Sequence, residues 1–237
     1  LKSHLAVDIE LTPTEPSQAE FKIVPLIVEQ DRLYLQRYWA YEQRLAHQLL
    51  AMLKASFSIT DLEKILDRYF EPIQESVDWQ REAAKSAVQH AFTIITGGPG
   101  TGKTTTVVKI LALIQEIAEQ PLHIALAAPT GKAAMRLQES ISQRISTLPC
   151  SEAVKAQIPT QVSTLHRLLG AQAQSPYFRH HAGQPLVFDL VVVDEASMVD
   201  LALLSKLVDA LKPGARLILL GDKDQLASVE SGAVLAD

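Results

Sequence analysis

Gly97-Gly98-Pro99-Gly100-Thr101-Gly102-Lys103-Thr104 decides how the rest of this chain is read. The stretch satisfies G-x-x-x-x-G-K-[ST], and its neighbours supply the context that gives the pattern meaning. Phe92-Thr93-Ile94-Ile95-Thr96, immediately before it, has the β-branched and aromatic composition of a buried strand. Residues 105–118, after it, place Val107, Ile110, Leu111 and Ile114 at helical spacing on one side. Between a strand and a helix, glycines let the backbone close around phosphate oxygens, and the N–H groups that open the helix point at them. Gly97, Gly98, Gly100, Thr101, Gly102, Lys103, Thr104 and Thr105 are therefore the expected phosphate contacts of a nucleotide. Lys103 would reach the β- and γ-phosphates and Thr104 would hold Mg²⁺. The competing reading is a chance glycine-rich turn.

Leu190-Val191-Val192-Val193-Asp194-Glu195 is an apolar strand ending in two acids. Ligands of a parallel sheet sit beyond the carboxyl ends of its strands. Asp194 is thus expected near the glycine loop, holding Mg²⁺ through its water shell, and Glu195 beside it as the base that takes a proton from an attacking water. The structural alternative is an acid pair preceding the helix over 201–211. A second apolar strand, Arg216-Leu217-Ile218-Leu219-Leu220, runs into Gly221-Asp222-Lys223-Asp224-Gln225. The amide of Gln225 both donates and accepts, so it can bind a γ-phosphate and report its loss. Gln80, within Asp78-Trp79-Gln80-Arg81-Glu82-Ala83, either reads the N6/N7 edge of adenine or is a surface glutamine on a helix.

Ala128-Pro129-Thr130-Gly131-Lys132 follows a strand and opens a helix, and Ser163-Thr164-Leu165-His166-Arg167 has a similar make-up. Thr130, Lys132, Thr164 and His166 can bind the phosphates of a nucleic-acid strand, and the two threonines can equally be helix caps. Arg136, Arg144 and Arg167 lie in or near these segments and are assigned to the nucleic-acid side, not across a γ-phosphate. Arg179-His180-His181 is read as a solvated loop, since adjacent histidines rarely chelate one ion.

The alternation of Val/Ile/Leu strands with helices from residue 78 onward argues a parallel sheet with helices on both faces. Helices are expected over 78–90 and from 132 to about 145, strands over 123–128 and 188–193, and a short helical segment near 163–169. Residues 146–162 and 177–185 are expected as loops. Upstream, residues 1–20 are polar and read as a linker or arm, 21–30 and 32–35 as a hairpin, and 37–54 as a helix. A second helix, capped by Ser58 or Thr60, is expected to run to Phe70. With 47% hydrophobic and 21% charged residues the chain can bury a real core, and its apolar runs are far too short for a membrane span. The single cysteine, Cys150, excludes an internal disulfide and a cysteine metal cluster, as expected of a reducing compartment. Leu1-Lys2-Ser3-His4 has no signal-peptide apolar segment, and without an initiator methionine the chain is expected to be a fragment. Residues 1–76 hold 8 basic and 12 acidic side chains, and residues 77–237 hold 14 and 15. The net charge of −5 therefore argues against non-specific coating of DNA, though not against a local groove.

In order and spacing these segments resemble superfamily 1 helicases, and most closely the family of the exodeoxyribonuclease V alpha subunit, RecD. The resemblance rests on the glycine loop, Ala128-Pro129-Thr130-Gly131-Lys132-Ala133-Ala134, Ser163-Thr164-Leu165-His166-Arg167-Leu168-Leu169-Gly170, Val193-Asp194-Glu195-Ala196-Ser197-Met198 and Gly221-Asp222-Lys223-Asp224-Gln225-Leu226-Ala227-Ser228-Val229. It implies an α/β, P-loop NTPase (RecA-like) motor domain over 77–237, preceded by a small, mainly helical docking region over 1–76. It also implies ATP and Mg²⁺, 5′-to-3′ movement on single-stranded DNA, and the beta and gamma subunits of exodeoxyribonuclease V as partners in the bacterial cytoplasm. Helicases of this kind have a second motor domain carrying arginine fingers, which this chain lacks, so the fragment by itself is expected to be inactive. The rival reading is a nucleotide-binding docking or regulatory module without productive hydrolysis.

Overall fold

Three apolar strand sequences, Ile124–Ala128, Leu190–Val193 and 217–220, demand cover on both faces, and a computed structural model shows how they receive it. It describes residues 6–8 (backbone only), 25–71, 77–98, 100–173, 175 and 177–222. In chain order the elements begin with β1 (Ala6–Asp8), β2 (Leu26–Glu29), β3 (Arg32–Leu35), α1 (Gln36–Leu53), α2 (Leu62–Tyr69) and α3 (Trp79–Gln89). They continue with β4 (Phe92–Thr96), α4 (Lys103–Ile117), β5 (Ile124–Ala128), α5 (Gly131–Ile145), α6 (Glu152–Gln157), β6 (Val162–Thr164) and α7 (Leu165–Leu169). The last are β7 (Leu190–Val193), a 3-10 turn (Ala196–Met198), α8 (Leu201–Asp209) and β8 (Arg216–Gly221).

β4, β8, β7, β5 and β6 form, in that order, one five-stranded sheet in which every pairing is parallel. The two-residue period of a strand divides its side chains between two cores. Ile124, Leu126, Leu190, Val192, Ile218 and Leu220 face one core, with α2 to α5. Ala125, Ala127, Val191, Val193, Leu217 and Leu219 face the other, with α1, α7 and α8. A smaller sheet precedes this unit. β1 pairs with β2 in parallel, and β2 and β3 form the expected hairpin. The hairpin turn places Gln30 and Asp31 at φ 47° and 64°, the left-handed pair that suits a tight two-residue connection. The first helices are not separate from the large sheet: Leu45 and Leu66 enter its two cores, and Gln48 Nε2 donates to Asp209 Oδ1 at 3.2 Å.

Several expectations are corrected. Residues 1–20 contain a strand, β1, within the expected linker. α2 starts after Asp61, whose φ of 55° turns the chain, so neither Ser58 nor Thr60 caps it. The loop expected over 146–162 contains α6, six residues of which only Val154 packs, partly buried, against the core; its cap is Ser151, which accepts from Val154 N. β6 is three residues long and exists through pairing with Leu126, Ala127 and Ala128. α4 does not bury one stripe. It starts at Lys103, and nine of its fifteen residues, including Val107, Val108 and the run from Ile110 to Gln115, are buried. Such a helix lies inside the protein, packed between α3 and α5 against the sheet.

Ile110 has no exposed surface, so Ile110→Ala leaves a cavity in the middle of α4. The expected loss is about 2–5 kcal/mol of unfolding free energy, measured as a shift in urea midpoint at unchanged slope.

Candidate functional site

β4 ends at Thr96, and the chain then turns through the glycine loop into α4. Gly97 N donates to Gly221 O at 3.3 Å, which ties the base of the loop to the end of β8. Gly100 and Gly102 have φ of 80° and 84°, a conformation that costs an L side chain about 1–2 kcal/mol. At Gly102 a Cβ would also stand 2.7 Å from Gln80 Nε2. Thr101 Oγ1 donates to Gly98 O at 2.9 Å, closing the loop on itself. Lys103 Nζ donates to Gly97 O and, at 3.0 Å, to Gly98 O, so the ammonium sits inside the loop's curve.

β7 brings the acids. Asp194 N donates to Ala127 O at 2.9 Å as the strand ends. A cavity of about 320 Å³ is then lined by Gly98, Gly100, Thr101, Gly102, Lys103, Thr104, Thr105, Arg144, Asp194 and Glu195. Nearly the whole expected nucleotide set therefore meets in one place. Gly97 stands at the base of the loop as the acceptor for Lys103, and Gln80 touches the loop from outside, donating from Nε2 to Thr101 O at 3.1 Å. Asp78 holds Gln80 there by capping α3, accepting from Gln80 N and Arg81 N. Gln225 lies outside the described residues. Of the segment before it, Gly221 ends β8 and Asp222 is buried.

The electrostatics are uneven. Burial pushes the Asp194 carboxyl above its ordinary pKa; the Glu195 backbone N–H and the Lys103 charge pull it back, and the Glu195 charge raises it further. Glu195 has φ 52° and ψ 40°, a left-handed backbone that costs a non-glycine residue about 1–3 kcal/mol and recurs at functional sites. The donor set suits a hydrated Mg²⁺. Thr104 offers a hydroxyl and Asp194 a carboxylate on the same cavity, and Mg²⁺ takes few protein ligands beside water and phosphate oxygens. Among the described residues no cluster of three His, Cys, Asp or Glu could hold a metal.

The second set gathers elsewhere on the sheet's carboxyl edge. Ala128 is the register partner of Thr164, so Thr130 and Thr164 follow neighbouring strand ends. Both cap helices: Thr130 Oγ1 accepts from Ala133 N at 3.2 Å and Thr164 Oγ1 from Arg167 N at 3.3 Å. Lys132 is exposed in the first turn of α5, and the exposed His166 ring stands edge-on to Phe178 at 5.7 Å. None of these four lines the nucleotide cavity. Arg136 and Arg167 are exposed. Arg144 is the exception, since it lines the cavity, and its expected place is corrected accordingly. In the 179–183 loop His181 Nδ1 accepts from Gly183 N at 3.1 Å, which closes a turn.

A glycine loop at the end of one parallel strand, with two acids at the end of another, defines a nucleotide-binding α/β domain. The AAA domain family matches residues 80–231, and the chain belongs to that family. It is similar to the RecBCD enzyme subunit RecD of Haemophilus influenzae, 46% identical over 224 residues, which are 91% of this chain and 35% of that protein. RecBCD enzyme subunit RecD of Mycolicibacterium smegmatis is 47% identical over 214 residues, 87% of this chain and 37% of the relative. The ATP-dependent RecD2 DNA helicase of Deinococcus radiodurans is 41% identical over 146 residues, 62% and 17% of the two chains. This chain thus spans little more than a third of the RecD sequences it matches. No helix among the described residues is long and apolar enough to cross a membrane.

A raised pKa on Asp194 means that the fold favours its neutral form. That stability is complete below the unfolded value and is lost as pH rises through the folded value. Without nucleotide, Asp194→Asn is therefore expected to melt higher than the parent at pH 7, with the gain shrinking toward pH 4. Thermal melts across that range check it, and a pH-independent gap would separate the effect from ionisation.

Proposed function

We propose that this chain is the ATP-binding motor domain, with its docking region, of a RecD-type DNA helicase. One observation carries the reading. The glycine loop, Lys103 and Thr104 share a cavity with Asp194 and Glu195, the combination that binds a nucleoside triphosphate and attacks it with water. Lys103 would bind the β- and γ-phosphates, and Thr104 and Asp194 would hold Mg²⁺, which when bound neutralises phosphate charge. Glu195 would accept a proton from the water that attacks the γ-phosphorus as the bond to ADP breaks. Gln80 would meet the adenine from its position beside the loop, and Gln225 would sense the γ-phosphate.

Thr130, Lys132, Thr164 and His166 would follow the backbone of a single DNA strand along the carboxyl edge of β5 and β6. Movement would run 5′ to 3′, with the beta and gamma subunits of exodeoxyribonuclease V as partners in the cytoplasm of a bacterium. Similarity to the RecD subunits supports these finer points. Residues 77–237 would be the motor and 1–76 the docking region. That division separates roles rather than cores, since α1 and α2 pack into the motor. The exposed Leu33, Leu35, Leu50 and Leu53 of β3 and α1 support a partner surface there. By itself the 237-residue chain is expected to bind nucleotide and not to unwind DNA.

Lys103→Ala removes one charge-assisted contact and is expected to lower Mg·ATP affinity by about 1.5–3 kcal/mol in a calorimetric titration. Unchanged affinity in the folded variant would sink the nucleotide reading. In the complete enzyme Glu195→Gln is expected to keep ATP binding and lose turnover, because an amide cannot take the proton. Persistence of parental turnover would favour a different base, and a parent that binds ATP without ever turning it over would favour the regulatory reading.

The double variant Thr130→Ala with Thr164→Ala is expected to lose about 1 kcal/mol of stability per cap. In the complete protein it should also bind single-stranded DNA more weakly at unchanged ATP affinity. Equal DNA affinity would leave both residues as caps alone. The matching serine variants keep a hydroxyl and should restore both properties.

A further inference from the structure

The nucleotide cavity holds a second cation. Arg144 lies in the last turn of α5, thirty-nine positions from its contact in α4. Its Nε–H donates to Thr105 Oγ1 at 2.9 Å. Its Nη1 donates to Ser140 O at 3.1 Å and to Ser140 Oγ at 2.6 Å. Two edges of the planar fork are thereby fixed. Nη2, with two N–H groups, has no hydrogen-bond partner among the described residues, and no described carboxylate forms an ion pair with Arg144. Yet the side chain lines the same cavity as Asp194 and Glu195, and both acids remain apart from it.

A strut between two helices has no need of a charge. A guanidinium held half-buried, braced on two sides and left without a counter-ion is an expensive strut unless an anion arrives. Its open end offers the two divergent N–H groups of Nη2, enough for a charge-assisted hydrogen bond to a phosphate oxygen. Lys103 and Thr104 precede Thr105 and serve the β/γ end in the proposed reading. Thr105 is the next position along α4, so an anion that meets Arg144 beside it would be a phosphate that Lys103 and Thr104 leave free.

We propose that Arg144 is a nucleotide-binding residue whose Nη2 edge contacts the α-phosphate, with Thr105 and Ser140 fixing the guanidinium. The inference rests on the nucleotide reading of the cavity. Because the α-phosphate is common to ATP and ADP, Arg144 would strengthen both complexes alike and hold the nucleotide through hydrolysis.

The test titrates the complete protein with Mg·ATP and Mg·ADP. The variants are Arg144→Ala, Arg144→Gln, which keeps polar contacts without charge, and Arg144→Lys, which keeps charge without the fork. Arg144→Ala and Arg144→Gln are expected to lose affinity for both nucleotides by a similar factor, about 10- to 100-fold, with a shallower salt dependence. Arg144→Lys is expected to recover part of the loss. Should Arg144→Ala unfold, Arg144→Gln carries the test alone. Affinities within twofold of the parent in folded Arg144→Gln would overturn the proposal and leave a strut. A loss confined to ATP would overturn the α-phosphate assignment, and so would failure of Arg144→Lys to recover anything. A parent that binds neither nucleotide would remove the underlying reading, an outcome distinct from a parent that binds while the variants match it.

Discussion

The burial of α4 is the constraint on which the site depends. A phosphate-binding loop works by aiming backbone N–H groups, and those groups point wherever the following helix points. Here that helix is enclosed by α3, α5 and the sheet, and both its ends are secured. At the start, Thr106 Oγ1 donates back to Gly102 O at 3.1 Å. Near the end, the buried Gln115 satisfies its amide fully, donating to Leu122 O and Gln157 O and accepting from Leu122 N. Along its flank Lys109 Nζ lies 4.4 Å from the centre of the Phe70 ring. Register within the sheet then sets everything else, because parallel strands deliver the glycine loop, the acid pair and the threonine caps to one edge.

That edge is not restful. Burial disfavours the charge on Asp194, Glu195 sits in a left-handed conformation, and Arg144 carries a charge that no described acid neutralises. Each is a local cost, and all three meet in the cavity beside the glycine loop. The well-packed cores above and below the sheet offset these local costs.

Strand, loop and helix were readable at 92–118 because β-branched residues, glycines and a 3.6-residue period are local signals. The same holds for β7 and its acids, whose place near the loop follows from parallel topology alone. What escaped has no local signature. The all-round burial of α4 looks, in sequence, like a one-sided stripe, since Thr105, Thr106, Lys109, Gln115 and Glu116 interrupt its apolar residues, yet Thr106 and Gln115 are buried. β6 is visible only through its partner β5, and α6 turns only Val154 toward the core, too little for a periodic apolar stripe. Gln80 was recognisable as a candidate, but its contact with Thr101 O depends on how α3 packs beside the loop. The helix of Arg144 opens beside Thr130, which in sequence points the arginine to the nucleic-acid side, whereas it lines the nucleotide cavity. Nothing in residues 131–145 reveals that the helix's far end returns to Thr105. The placement of Gln225 rests on sequence alone.

The enclosure of α4 also joins ligand occupancy to global unfolding. The floor of the cavity is the first turn of a helix that cannot loosen without opening the core, so the unfolded chain retains no part of the binding site. A ligand at about one hundred times its dissociation constant then adds about 2.7 kcal/mol to the unfolding free energy of the whole domain. The melting curve becomes a titration curve. Conversely, a lesion at a remote core position such as Leu126 would pass for weakened binding in any assay run near the melting temperature. Variants of this domain are therefore best compared at temperatures where each is fully folded.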